Sequence, residues 1–329
     1  MKEKDIRPDK LQRENQRLRQ QDARRLLAQR RKFIKVFCPA CGGKSSQTIF
    51  KKEGFNFVQC CCCETIFINP RPSFSLLADF YGNSSCIKYW NNKIFPISEN
   101  VRRRQIFAPR ATRVVALCKK YSVDNSLLVD VGAGFGTFCE EIKKKKFFKK
   151  VLAIEPSVDL AATCRRKGIE TIEKTIEKTV LKRASVITSF ELIEHLFNPK
   201  EFISACAKSL AKKGLFIITT PNVKGFDFSV LGKKADNFGG PNHLNYFHPQ
   251  SLKILLESCG LEMMEVATPG KLDAELVRKK ILSGESDAKE SPFLKQILID
   301  RWEKLGGKFQ NFLAENNLSS HMWAVARKK

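Results

Sequence analysis

Residues 127–138 read Leu-Leu-Val-Asp-Val-Gly-Ala-Gly-Phe-Gly-Thr-Phe, and no other stretch constrains the fold as tightly. Five strand-like residues run into Gly132, Gly134 and Gly136, and a helix-like segment follows at once. Glycine tolerates φ > 0 and has no side chain, so such a loop lets the backbone approach a ligand closely. The next strand-like run, Val-Leu-Ala-Ile-Glu, ends in Glu155. A strand, a glycine turn, a helix and a second strand ending in an acid form the layout of a nucleotide-type cofactor site, with the acid placed for ribose hydroxyls.

Asp130 narrows the choice of cofactor. It closes the first strand beside the loop, where a carboxylate repels a pyrophosphate. S-adenosylmethionine (SAM) carries a sulfonium and an ammonium group and no phosphate, so the same carboxylate attracts it. The acid-x-Gly-x-Gly-x-Gly text formed by Asp130, Gly132, Gly134 and Gly136 resembles the first motif of the class I SAM-dependent methyltransferases. The resemblance implies SAM as cofactor and Glu155 as the acid that holds the ribose diol. Glu173, at the end of the third strand, is a looser match near the adenine edge.

From residue 126 the text alternates between strand-like and helix-like segments. The strand-like runs are 127–131, 151–155, 169–173, 184–190, 214–220, 261–268 and 321–327. Helix-like runs include 137–149, 157–167, 199–211 and 250–259. We expect an α/β, Rossmann-like, seven-stranded methyltransferase sheet, whose last strand the family runs antiparallel. Ligands of open α/β sheets sit beyond the carboxyl ends of the strands. That gathers the glycine loop, Glu155, Phe190, Glu191 and Asn222 around one cleft. Residues 269–319 form a helical insertion before the last strand, with helix-like stretches at 271–283 and 293–315 and a polar linker at 283–291. An insertion this long at a cleft rim is often functional; we read it as a substrate cover.

The N-terminal third is a separate problem. Cys38-Pro-Ala-Cys41 and Cys60-Cys-Cys-Cys63 are two Cys-x-x-Cys pairs separated by 18 residues. Paired spacing of this kind predicts a structural zinc site, since each knuckle aims two thiolates at one ion and four thiolates leave no open position. Cys38, Cys41, Cys60 and Cys63 are the expected ligands, although the run of four cysteines also allows a shifted register. The domain plan is then a basic helical arm at 1–33, a zinc ribbon at 34–72, a helical cover region at 73–125, and the SAM-binding domain at 126–329. The arm reads more as a solvated tail than as a docked helix. In the cover region, the arginines at 102–104 suit either a carboxylate or phosphate ligand or a solvated face.

Two further elements concern the acceptor. Ser189-Phe-Glu-Leu-Ile-Glu-His-Leu196 resembles the Glu-x-x-Glu-His text of ubiquinone-pathway O-methyltransferases. The resemblance puts Glu191, Glu194 and His195 at positions associated with a metal there, while a structural helix start accounts for the same residues. His243-Leu-Asn-Tyr-Phe247 resembles the His-x-x-Tyr-Phe element of sugar C-methyltransferases, which also carry an N-terminal zinc-binding region. That resemblance makes His243 the general base and turns Tyr246 toward substrate; a structural histidine is the competing account. Gly240 and Asn242 depart from the tyrosine and glutamate of those enzymes, so O-methylation stays open. Cys-Pro-x-Cys-Gly, Asn69-Pro-Arg-Pro72 and His321-Met-Trp-Ala-Val325 extend the similarity to surface-polysaccharide methyltransferases.

Composition limits partners and place. Lys and Arg total 59 against 34 Asp and Glu, a formal charge of +25. Such a balance attracts polyanions, so RNA is the rival acceptor to a nucleotide- or lipid-linked sugar or other small molecule. No apolar run spans a bilayer and no signal-peptide core opens the chain. Twelve cysteines in a cytoplasmic protein point to metal ligands and free thiols. We therefore expect a cytoplasmic SAM-dependent methyltransferase acting on a sugar, with RNA and catechol-type acceptors as alternatives.

Overall fold

In the computed structural model, which describes residues 2–181, 183–286 and 291–329, the chain divides into two compact units. One comprises Met1–Ser98, Pro221–Ser251 and Ala267–Met322; the other comprises Glu99–Thr220, Leu252–Val266 and Trp323–Lys329.

The second unit is built on the expected α/β sheet. Its seven strands lie in the order Leu261–Ala267, His321–Lys328, Leu210–Pro221, Ala184–Phe190, Leu127–Val131, Lys150–Ile154, Glu170–Ile172. Leu127–Val131 pairs in parallel with Lys150–Ile154 on one side and Ala184–Phe190 on the other. Lys150–Ile154 continues in parallel to Glu170–Ile172, and Ala184–Phe190 to Leu210–Pro221. Central strands covered on both faces need continuous apolar runs, and Leu128, Val129, Ala153, Ile154, Val186 and Ile187 are all buried. Helices Thr137–Lys144, Val158–Arg166 and Pro199–Ser209 connect successive strands. Asn198 starts the last of these: its side chain accepts the Glu201 N–H at 3.3 Å, and Pro199 takes the position where no N–H is needed.

The first unit holds the cysteine ribbon. Ser46–Lys52, Phe55–Cys60, Ile66–Ile68 and Asn245–Tyr246 form a four-stranded antiparallel sheet in that order. Tyr246 pairs with Ile66 and Asn245 with Phe67, so a segment almost 180 residues downstream completes the ribbon. One face is aromatic. Phe238 lies 4.7 Å from Phe228, 5.0 Å from Phe50 and 4.9 Å from Tyr246, centroid to centroid.

The N-terminal arm is not a solvated tail. Helix Asp9–Leu27 buries Asp22, Ala23 and Leu26. Asp22 accepts the Ser84 hydroxyl at 2.7 Å and the Cys86 N–H at 2.9 Å, which fixes it to helix Ser85–Tyr89. The 269–319 insertion is helical at Asp273–Leu282 and Trp302–Glu315, and the expected helix over 293–315 breaks at Gln296–Asp300, where the turns widen to π geometry. Residues 287–290 of the polar linker lie outside the described residues. Among the described residues no helix is long and apolar enough to cross a membrane.

Candidate active site

In the second unit the glycine loop leaves Leu127–Val131 and enters helix Thr137–Lys144. Gly132, Gly134 and Gly136 have φ of 77°, 56° and 69°, values that L side chains rarely adopt. Space separates their roles. A side-chain carbon at Gly132 would fall 2.8 Å from Leu192, and one at Gly136 would fall 2.6 Å from Ile169 and 2.9 Å from the Cys164 sulfur. At Gly134 it would meet no atom within 4 Å. The first and third glycines are needed for packing, while the middle one faces open space.

Glu155 fastens the loop. Its Oε2 accepts the Gly134 N–H at 2.8 Å and its Oε1 accepts the Ser157 N–H at 3.0 Å. The carboxyl is buried, and that burial raises its pKa. Each oxygen keeps a second lone pair, so two neighbouring hydroxyls can still bind.

Asp130 is buried at the strand end. Oδ1 accepts the Thr188 hydroxyl at 2.7 Å, and the Cys139 sulfur stands 3.6 Å from Oδ2. Burial pushes its pKa up from 3.8 to about 6. A carboxylate in this position is short of positive charge, and a cationic ligand would relieve it.

Phe190 and Glu191 close Ala184–Phe190. The Phe190 ring meets Phe138 edge-on at 4.7 Å and tilts against Trp323 at 5.6 Å. Glu191 has φ of 53° and is half in solvent; its Oε1 accepts the Thr219 hydroxyl at 2.6 Å. Glu194 is buried, accepts the Thr220 hydroxyl at 2.9 Å, and is pushed well above the usual carboxylate range by burial and then by Glu191.

One cation belongs to this group. Arg110, on helix Ala108–Lys120, lies with its guanidinium 4.8 Å from the Phe190 ring centroid and 3.5 Å from Glu191 Oε1. It also feels the charges of Asp130 and Glu194. Along the chain it stands out only as one arginine of the helical cover region, with no motif around it. The arginines at 102–104 divide differently: Arg103 reaches Glu99, Glu140 and Glu141 at 3.1, 2.7 and 2.8 Å. Those carboxylates occupy its fork, so no external anion is needed to explain it. Glu173 pairs with Arg165 at 2.7 Å.

In the first unit, Cys38, Cys41, Cys60 and Cys63 bring their sulfurs within 4.8 Å of one another. Cys38 and Cys63 lie 3.4 Å apart, and Cys41 and Cys60 lie 3.6 Å apart. A tetrahedral zinc–thiolate centre with Zn–S of about 2.3 Å needs sulfurs about 3.8 Å apart. The two knuckles are alike. The Gly42 N–H closes on the Cys38 carbonyl and the Glu64 N–H on the Cys60 carbonyl, while N–H groups of Gly43 and Cys62 point at the Cys41 and Cys60 sulfurs. Cys61 and Cys62 are exposed, so the register that uses Cys60 and Cys63 is the one that fits.

The ribbon also carries the His243 element. Asn245–Tyr246 is its edge strand, and His248 Nε2 lies 2.9 Å from the Cys63 carbonyl oxygen. Tyr246, expected to turn toward substrate, is packed inside the ribbon. It is 1% exposed, and its hydroxyl accepts the Gly239 N–H and donates to the His243 carbonyl, each at 3.2 Å. Asn222 likewise is buried: Nδ2 donates to the Ser319 carbonyl at 3.0 Å and Oδ1 accepts the Lys224 N–H at 3.2 Å. Both side chains are committed to holding backbone. The departure at Gly240 has a steric cause, since any side-chain carbon there would fall 2.5 Å from the Phe55 ring.

Residues 102–266 match a family model described as a methyltransferase domain. The chain is 34% identical over 102 residues to a ubiquinone biosynthesis O-methyltransferase of Caulobacter sp. strain K31, a match covering 29% of this chain and 40% of that protein. It is 24% identical over 200 residues to a protein of the same name from Rhodopseudomonas palustris strain BisA53, covering 52% of this chain and 78% of that one. Among solved structures, a SAM-dependent methyltransferase from Archaeoglobus fulgidus matches at a TM-score of 0.46 and 18% identity, over 72% of this chain and 100% of the other.

Proposed function

The chain belongs to the class I SAM-dependent methyltransferases, and from that premise we propose that it methylates a sugar carried on a nucleotide or a lipid, with His243 as general base. The observation that carries this reading is the shared framework of the first unit: the four-cysteine ribbon supplies the sheet on which the His243-Leu-Asn-Tyr-Phe247 segment is strung. Sugar methyltransferases that resemble the chain combine these same two features.

The residues of the glycine loop fit the donor. Gly134 leaves room for it, the Glu155 oxygens take the ribose diol, and Asp130 supplies negative charge for its cationic end. Arg110 supplies positive charge for its carboxylate. When bound, SAM provides a methyl group on a sulfonium, an electrophile that needs no activation by the protein. The protein's share is to align the acceptor and remove its proton. His243 does the second as general base. Zinc on Cys38, Cys41, Cys60 and Cys63 holds the ribbon in register and takes no part in methyl transfer.

A second reading, methylation of a catechol-type hydroxyl, is favoured by the names of the two relatives. One experiment separates the readings: turnover of methyl-labelled SAM against a panel of sugar nucleotides, lipid-linked sugars, a catechol and total RNA. Labelling of a sugar, lost in His243→Ala with SAM affinity intact, supports the proposal. Labelling of catechol or RNA alone rejects it.

A further inference from the structure

The end of the seven-stranded sheet remote from the glycine loop concentrates positive charge that methyl transfer does not use. The parallel strands begin there in register: Leu127 beside Lys150, Leu152 beside Glu170, Ala184 beside Leu210. The helices that feed these strands deliver their C-termini to the same end. Lys119 and Lys120, Lys143 and Lys144, and Arg165 and Arg166 occupy last turns, and all are exposed. Cations there offset the helix dipole, which accounts for those six.

Of a second set the dipole accounts for Lys145 alone, which closes helix Thr137–Lys144. Lys145, Lys146 and Lys149 lie in the turn before Lys150–Ile154, and the Lys149 N–H is tied to the Asn125 carbonyl at 2.9 Å. Arg183 immediately precedes Ala184–Phe190. Lys212 and Lys213 sit in the irregularity between Leu210 and Leu215 of the neighbouring strand. All six are exposed. Among the described residues their side chains form no hydrogen bond or ion pair, and the nearby acids are engaged: Asp124 with Ser126 and Ser185, Glu170 with Lys150.

We propose that this face docks on an anionic bilayer surface. Five of the six unpaired cations are lysines, compact hydrated charges suited to a diffuse layer of headgroups. Single-stranded RNA is instead read by exposed aromatic platforms and arginine planes. The only aromatics in the lysine turn, Phe147 and Phe148, form an edge-on pair 4.9 Å apart that packs against the sheet's core. Val180, 88% exposed and just upstream of Ala184–Phe190, adds one apolar side chain to this face, but the cations dominate it, so attachment is mainly electrostatic and reversible, and it leaves the glycine loop at the sheet's opposite end, turned from the bilayer.

Cosedimentation of the full chain with vesicles tests this. Phosphatidylcholine vesicles with about 30% phosphatidylglycerol should bind it at low salt, pure phosphatidylcholine vesicles should not, and about 1 M salt should release it. Replacing Lys145, Lys146, Lys149, Lys212 and Lys213 with Gln should lower the partition coefficient at least about a hundredfold, with SAM affinity by calorimetry unchanged as the check on folding. Equal binding to both vesicle types overturns the proposal. So does full binding by the five-site variant, or a single-stranded oligonucleotide that binds this face more tightly than the vesicles.

Discussion

Thr188 donates its hydroxyl to the buried carboxylate of Asp130 at 2.7 Å, joining two neighbouring strands directly beneath the glycine loop. Asp130 titrates near 6 against an ordinary 3.8, because burial outweighs that bond. A carboxyl raised in the fold binds protons more readily there than in the unfolded chain. Its stabilising contribution is therefore complete below pH 3.8 and is lost as pH rises through 6. At pH 7 the fold carries an ionised, poorly solvated acid, at a cost of up to about 3 kcal/mol. Asp130→Asn should accordingly raise the ligand-free melting temperature while weakening SAM binding. Wild-type affinity for SAM should fall as pH drops below about 6, and the Asn variant should lack that step. Calorimetric titration across pH 5 to 8, on the order of the shift just described, checks both.

The glycines should respond unequally to alanine. Gly136→Ala adds a clash with Ile169 and Cys164 to its backbone strain, so it should destabilise by more than about 2 kcal/mol. Gly134→Ala meets no neighbour and should cost only the left-handed backbone, about 1–2 kcal/mol. If SAM lies over Gly134, the second variant should nonetheless lose at least about tenfold in affinity. Denaturant melts with parallel binding isotherms separate the two effects.

Zinc content should follow the ribbon's register. Protein purified without chelator should carry one zinc per chain by elemental analysis. Cys60→Ser or Cys63→Ser should lose it, whereas Cys61→Ser or Cys62→Ser, which change exposed thiols, should keep it. Because His248 and Asn245–Tyr246 attach the His243 segment to the ribbon, chelation should depress kcat while SAM affinity, measured separately, holds.

Tyr246→Phe tests whether that tyrosine is scaffold. It removes the bonds to Gly239 and His243 and should destabilise by about 1–3 kcal/mol. Loss of turnover without loss of stability would instead restore Tyr246 to a substrate-facing role.

Much of this was legible in the chain because it is local. A strand entering alternate glycines, and a knuckle closed within four residues, are decided by backbone geometry over a few positions. The sequence by itself therefore determined the α/β sheet, the glycine loop, Glu155 beside it and the paired cysteines. Tertiary structure alone decided the partners. Strand register brought Thr188 to Asp130, and helix placement brought Arg110 to Phe190 and Arg103 to three glutamates. A strand at 245–246 joined a ribbon at 46–68 and buried Tyr246. These outcomes depend on which distant groups share a buried volume, and residue spacing carries no record of that.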